Sequence, residues 1–413
     1  MASVTIGLSV CVACALSGCA VGSMAPYPVP VVLPPGPPIS FSGPGVSDTP
    51  SATALPRHVQ PPPYIPTYPD ADTELVPFIG VVENLFFHPV VAYPQVAFNG
   101  NEKTRGIDEN MVTVSEFNKM LQSIYENGYI LVSWNDVWSE HTDPRGEKRM
   151  QRNELLLPEG KKPIVLNFDD VNYYEYMLET GFTHKLILGG DGEIWSWGID
   201  PRGKEVISQD LDAITILDKF VKEHPDFSMN GVKGCINLTG YEGILGYRTQ
   251  TSKDNNSSAF EARRQNEIEA VKPVIARLKQ TGWYFASHTW GHIDLGRAPI
   301  ESVMQDASRW ENEVASLVGP TMIFVYPFGA RLDGADVSRT GPALKYMQSL
   351  GFRVFASVGR ESFSKMKTDI SAVMCDRMHA DGTTLRTSRK NYLKFYDAEQ
   401  VFDHARPDYG TTW

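Results

Sequence analysis

Cysteine is almost missing from the body of this chain. Of five cysteines, Cys11, Cys14 and Cys19 lie near the N-terminus, leaving only Cys235 and Cys375. With no CxxC pair in the body, a zinc ribbon or disulfide scaffold is excluded, and one Cys235–Cys375 bridge is the most that can form. Basic clusters are missing too. A nucleic-acid groove needs concentrated Lys and Arg, and the formal net charge here is −11, so no nucleic-acid partner is expected. Long apolar runs are lacking: Val4 to Leu16 is mostly apolar but too short to span a bilayer comfortably. What remains is 413 residues with 42% hydrophobic and 11% aromatic content, enough for one large domain plus appendages.

The N-terminus reads as a targeting segment. It ends in Leu16-Ser17-Gly18-Cys19, which resembles a bacterial lipoprotein signal, although Met1 to Gly7 carries no Lys or Arg. That resemblance implies a lipid on Cys19, hence a membrane anchor at a bacterial cell surface or in the periplasm. An ordinary signal peptide with a small-residue cleavage site is the alternative, and both imply export. From Pro26 to Pro69 proline is dense, as in Pro34-Pro35-Gly36-Pro37-Pro38 and Pro61-Pro62-Pro63. Such a segment favours extended, semi-rigid spacing over a core. The expected organisation is a signal segment over 1–19, a Pro-rich linker over 20–74, a catalytic domain over 75–400 and a tail over 401–413.

Strand and helix patterns alternate through the body. Strands are expected at Val76 to Val82, Tyr129 to Val132, Ile164 to Phe168, Trp283 to Ala286, Met322 to Val325 and Val354 to Ala356. Between them come helices: one capped by Ser115, one over Gln209 to Lys222, one over Phe260 to Gln280 with a kink at Pro273, one around Val303 to Leu317 and one over Ala343 to Leu350. Repeated β-then-α units imply a mainly parallel sheet or barrel. Asp169-Asp170, His288 and Tyr326-Pro327-Phe328-Gly329 each follow a strand's C-terminal end, the rim that carries the chemistry in α/β barrels.

Two strings carry that chemistry. His288-Thr289-Trp290-Gly291-His292 sets two imidazoles at i and i+4, which on a helical turn lie about 5–6 Å apart at Cβ and can share a metal. Thr289 replaces the glutamate of HExxH, so a zincin is disfavoured and the base must come from elsewhere. Asp169 and Asp170 end the apolar strand Ile164-Val165-Leu166. Adjacent buried carboxylates repel unless a cation or proton intervenes. One can ligate a metal while the other stays free as a base, provided the strand ends there so that both face one site.

Asn167-Phe168-Asp169-Asp170, Ser287 to His292 and Tyr326-Pro327-Phe328-Gly329 resemble, in order, three motifs of the polysaccharide deacetylases with a NodB-homology domain. The resemblance covers roughly Leu75 to Arg386. It implies an α/β distorted (β/α) barrel, a polysaccharide substrate and a divalent metal, usually Zn2+, held by Asp170, His288 and His292. Asp169 would be the catalytic base, the Phe328 backbone N–H an oxyanion donor, and His379 beside Asp381 the acid. The activity implied is removal of acetyl groups from N-acetylated amino sugars of an envelope or extracellular polysaccharide. O-acetyl esterase action with the same site, and glycan binding without turnover, are the alternatives. One departure bears on them. Many members carry a base-orienting arginine two residues before the motif-three proline, where this chain has Val325, so Arg331 or Arg377 would have to substitute. Trp195, Trp197, Tyr241 and Tyr247 are candidates for sugar stacking or for packing, and His88 for the groove.

Overall fold

The computed structural model describes residue 66 and residues 68–332, 337–367 and 371–407. The expected signal segment with Cys19, the Pro-rich stretch to 65 and residues 408–413 lie outside the described residues.

Eight parallel strands frame the site: β1 (Glu83–Phe87), β2 (Tyr129–Leu131), β3 (Lys162–Asp169), β4 (Cys235–Leu238), β5 (Tyr284–Ser287), β6 (Ile323–Val325), β7 (Val354–Val358) and β8 (Ala372–His379). Hydrogen bonds run β1–β3–β4–β5–β6–β7–β8 and back from β8 to β1, closing a seven-stranded barrel. The short β2 pairs with the first half of β3, at Lys162 to Ile164, and β4 takes over that edge from Asn167 onward. The chain thus folds as the α/β barrel its motifs implied.

Period-two alternation decides which side chains enter the lumen. Val165, Cys235, Ala286, Val325, Ala356, Val373 and Cys375 form an apolar plug with Trp134 and Trp138. Their strand neighbours Leu166, Phe168, Ile236, Phe285 and Phe324 face the other way, into the core shared with the helices. One step along the same inward series, Val165 leads to Asn167 and Asp169, Cys235 to Asn237, Ala286 to His288, and Cys375 to Arg377. All five of these polar residues are at most 2% exposed. The lumen therefore turns from apolar to polar towards the strands' C-terminal ends. Cys235 and Cys375 are both buried free thiols, so the bridge does not form.

Several element boundaries differ from expectation, for physical reasons. The first barrel strand begins at Glu83, not Val76. Pro77 ends a three-residue strand at Leu75–Pro77, and Ile79 and Val81 stand 95% and 56% exposed. The helix α1 (Val114–Glu126) is capped by Thr113, not Ser115, because Thr113 and Glu116 complete a reciprocal capping box. Between β3 and β4 the chain adds a three-stranded antiparallel sheet, Lys185–Leu188, Ile194–Ile199 and Glu205–Ser208, before α2 (Ala213–Glu223). Pro273 sits inside α3 (Ser258–Gln280). Residues 401–407 pack on the domain rather than trailing from it. Arg406 is fully buried and donates to Glu116 and Asp108.

Candidate metal and catalytic centre

At the polar rim the two aspartates part company. Asp169 is the last residue of β3 and points into the lumen. Asp170 follows with φ of 60°, a left-handed turn that swings its carboxylate back over the same opening. Its backbone N–H donates to the Asn237 carbonyl at 3.1 Å, fastening the turn to β4. So neighbours that a regular strand would send to opposite faces meet at one site.

Asp170, His288 and His292 each offer one ligand atom, and those atoms lie within 4.8 Å of one another. His288 reaches the Val325 carbonyl through Nδ1 at 3.0 Å, which makes Nδ1 the donor and leaves the Nε2 lone pair for a ligand. His292 Nε2 is 3.8 Å from Asp170 Oδ2. Burial lowers the His292 pKa below the ordinary imidazole value, against the upward pull of Asp170 and with a smaller push from His288. The loop is not a helix: Thr289 and His292 have φ of 62° and 51°. Asp306 on α4 (Ile300–Trp310) grips it, accepting from Trp290 N–H at 2.6 Å and Gly291 N–H at 2.7 Å. Burial pushes the Asp306 carboxyl up to about 6 against the downward pull of those two bonds.

Asp169 lies beside the triad, with Oδ2 3.9 Å from His288 Nε2. Arg377 donates to both of its oxygens, at 2.7 and 2.9 Å, and Asn237 Nδ2 donates to Oδ1 at 2.5 Å. Burial pushes this carboxyl up, but the Arg377 and His288 charges and the Arg377 hydrogen bonds outweigh it and hold it well below the ordinary range. A guanidinium absent at Val325 is thus supplied to Asp169 from β8. Arg331 pairs instead with Asp376.

His379 reaches Asp381 and His88 and not the Asp169-Asp170 pair. Its Nδ1 is 2.7 Å from Asp381 Oδ2, its Nε2 is 3.0 Å from His88 Nδ1, and its ring stacks on Phe86 at 4.2 Å. His88, at the end of β1, turns Nε2 towards Asp170 Oδ2 at 3.8 Å. Asp381 and the Asn110 carbonyl can only accept, so each imidazole donates from Nδ1, and His88 keeps a lone pair at Nε2 over the site. Burial, and next the neighbouring His379, push the His88 imidazolium down to about 4.

Phe328 stands 43% exposed, its ring 4.6 Å from His292 and its φ at 58°. Of the stacking candidates, Tyr247 is core and donates to the Leu186 carbonyl, Tyr241 stacks on Tyr174, and Trp195 and Trp197 lie on the middle strand of the added sheet. Sequence reasoning named Arg377 as one of two options, left His88 as groove lining, and missed Asn237 and Tyr174. A lumen-facing asparagine carries no motif.

Residues 250–355 match the family model described as polysaccharide deacetylase. The matched stretch is 106 of the 413 residues, about a quarter of the chain. The match includes His288, His292 and Phe328, while Asp169, Asp170 and Arg377 lie outside it and join through barrel closure. Among solved structures, the chain is similar to a Streptococcus pyogenes deacetylase, PplD, in complex with acetate. The identity is 16%, the coverage 78% of this chain and 99% of that one, and the TM-score 0.41. No curated protein matches the chain.

Proposed function

We propose that this protein is a metal-dependent hydrolase that removes acetyl groups from N-acetylated amino sugars of an envelope or extracellular polysaccharide. The observation that carries the reading is the meeting of the Asp170, His288 and His292 ligand atoms beside a carboxylate kept ionised by a buried arginine. A nitrogen–nitrogen–oxygen set of this kind suits Zn2+. A divalent metal held there supplies Lewis-acid polarisation of the acetamide carbonyl and lowers the pKa of attacking water.

The chain's own groups do the rest. Arg377 and Asn237 occupy Asp169 Oδ1, and Arg377 also holds Oδ2, the oxygen nearer the triad, so Asp169 is aimed to take the water proton from that side. The Phe328 backbone N–H is the proposed donor to the developing oxyanion. The departing nitrogen needs a proton, and His379, paired with Asp381, is the proposed acid, with the His88 ring lying between it and Asp170. A reading as a non-catalytic glycan binder drew support from the missing arginine, and Arg377 removes that support.

Acetate release from N-acetylated amino-sugar polymers, with and without a chelator, tests the proposal. Release is expected to stop on chelation and return with Zn2+. Release that persists in metal-free protein overturns it.

Export and lipid anchoring through Cys19 are proposed from the sequence. In a bacterial host, Cys19→Ser is expected to move the protein from the membrane fraction to the soluble one and to end labelling by a fatty acid. An unchanged membrane fraction would refute the anchor.

A further inference from the structure

Two hydroxyls stand behind the carboxylate ligand. Tyr174 Oη is 2.6 Å from Asp170 Oδ1 and 2.6 Å from Thr239 Oγ1. An ionised carboxylate only accepts, so the phenol donates to Asp170 and the Thr239 hydroxyl donates to the phenol. The result is a directed line, Thr239 to Tyr174 to Asp170, that ends on one carboxylate oxygen. The other oxygen, Oδ2, is the one that faces His292 and His88, at 3.8 Å from each.

The phenol has little freedom to leave. Tyr174 is 3% exposed, and its ring stacks on Tyr241 at 4.9 Å with an interplanar angle of 16°. The turn that carries it is tied to the segment after β4: Asn172 Nδ2 donates to the Thr239 carbonyl at 2.9 Å, and Arg248 donates to the Tyr173 carbonyl at 2.8 Å.

We propose that Tyr174, backed by Thr239, is a positioning residue that restricts Asp170 to ligation through Oδ2 alone and so sets the affinity and coordination number of the site. This rests on the metal reading above. Partners of this kind, one shell behind a ligand, commonly change metal affinity by about 10–100-fold when removed.

The test measures metal binding rather than turnover. Zn2+ affinity is read on the full chain by chelator competition, for wild type, Tyr174→Phe and Thr239→Val, and Co2+ spectra are recorded on the same proteins. Phenylalanine keeps the ring that stacks on Tyr241. Tyr174→Phe is expected to weaken Zn2+ binding by about 10–100-fold. It should also lower the visible Co2+ absorption, because Asp170 can then offer both oxygens and a higher coordination number weakens those bands. Thr239→Val should move both readouts the same way by less. Wild-type affinity and an unchanged spectrum in Tyr174→Phe overturn the proposal. Should wild type bind no metal at all, the metal reading itself falls and takes this inference with it.

Discussion

Asp169→Asn is expected to cut acetate release by about 10²–10⁴-fold, the span that general-base removal covers. Metal content should stay that of the wild type. The separation follows from the geometry: Asp170, His288 and His292 converge without Asp169, whose Oδ2 stands 3.9 Å from His288 Nε2 as a neighbour of the triad. Asparagine keeps the shape but loses the charge and the basicity, since its amide oxygen is a far weaker base than a carboxylate. One of its terminal atoms becomes an NH2 facing the Arg377 fork, which leaves a fully buried guanidinium without its counter-charge. A stability loss is therefore expected alongside the rate loss, and thermal melts must establish that the assayed protein is folded. Folded, metal-loaded Asp169→Asn that still releases acetate at the wild-type rate would move the base elsewhere. Loss of metal together with activity would instead make Asp169 a ligand.

The parts of this site that sequence exposed are those written locally. Asp169 and Asp170 are adjacent, and His288 and His292 share one five-residue loop, so short motifs name them. Arg377 is 208 residues from Asp169, and His379 is 291 residues from His88. Those pairs exist only because β8 closes against β1, and nothing local announces that closure. The strand β8 itself was not expected, because Asp376 and Arg377 break its apolar pattern. Their polarity is what the catalytic end of the lumen requires. The displaced first strand has the same origin. Asn84 sits in the barrel wall, fully buried, its N–H donating to Ser362 Oγ at 2.8 Å, while the more apolar stretch over 78–81 lies largely outside the wall. Apolar patterning thus locates the helix-facing half of each strand well. It misplaces strands whose lumen side carries function, since there burial is satisfied by hydrogen bonds and charge pairing instead of by carbon.

Arg377→Met is expected to destabilise the fold by about 3–5 kcal/mol at neutral pH, because it leaves a buried carboxylate unpaired. The loss should shrink in acid. In the wild type the Asp169 carboxyl lies below its ordinary range, so it adds stability at every pH above that range and loses it only as pH falls through the depressed value. Without Arg377, burial becomes the dominant influence and pushes the carboxyl up. The ionised form is then the penalised one, and stability falls as pH rises through the new value. Denaturant unfolding of metal-free wild type and Arg377→Met, at about pH 5 and about pH 8, reads this directly as a gap that widens with pH. The pairing also predicts non-additivity: Asp169→Asn added to Arg377→Met removes the second charge and should recover much of the stability while leaving activity lost. Turnover by Arg377→Met should fall even though its carboxylate is the stronger base, because Oδ2 is no longer aimed at the triad, and the acid limb of its pH–rate profile should move upward. A destabilisation that is equal at both pH values, or that Asp169→Asn does not relieve, would mean that Arg377 supports the barrel by packing over Phe86, 4.3 Å away, and not by holding the base.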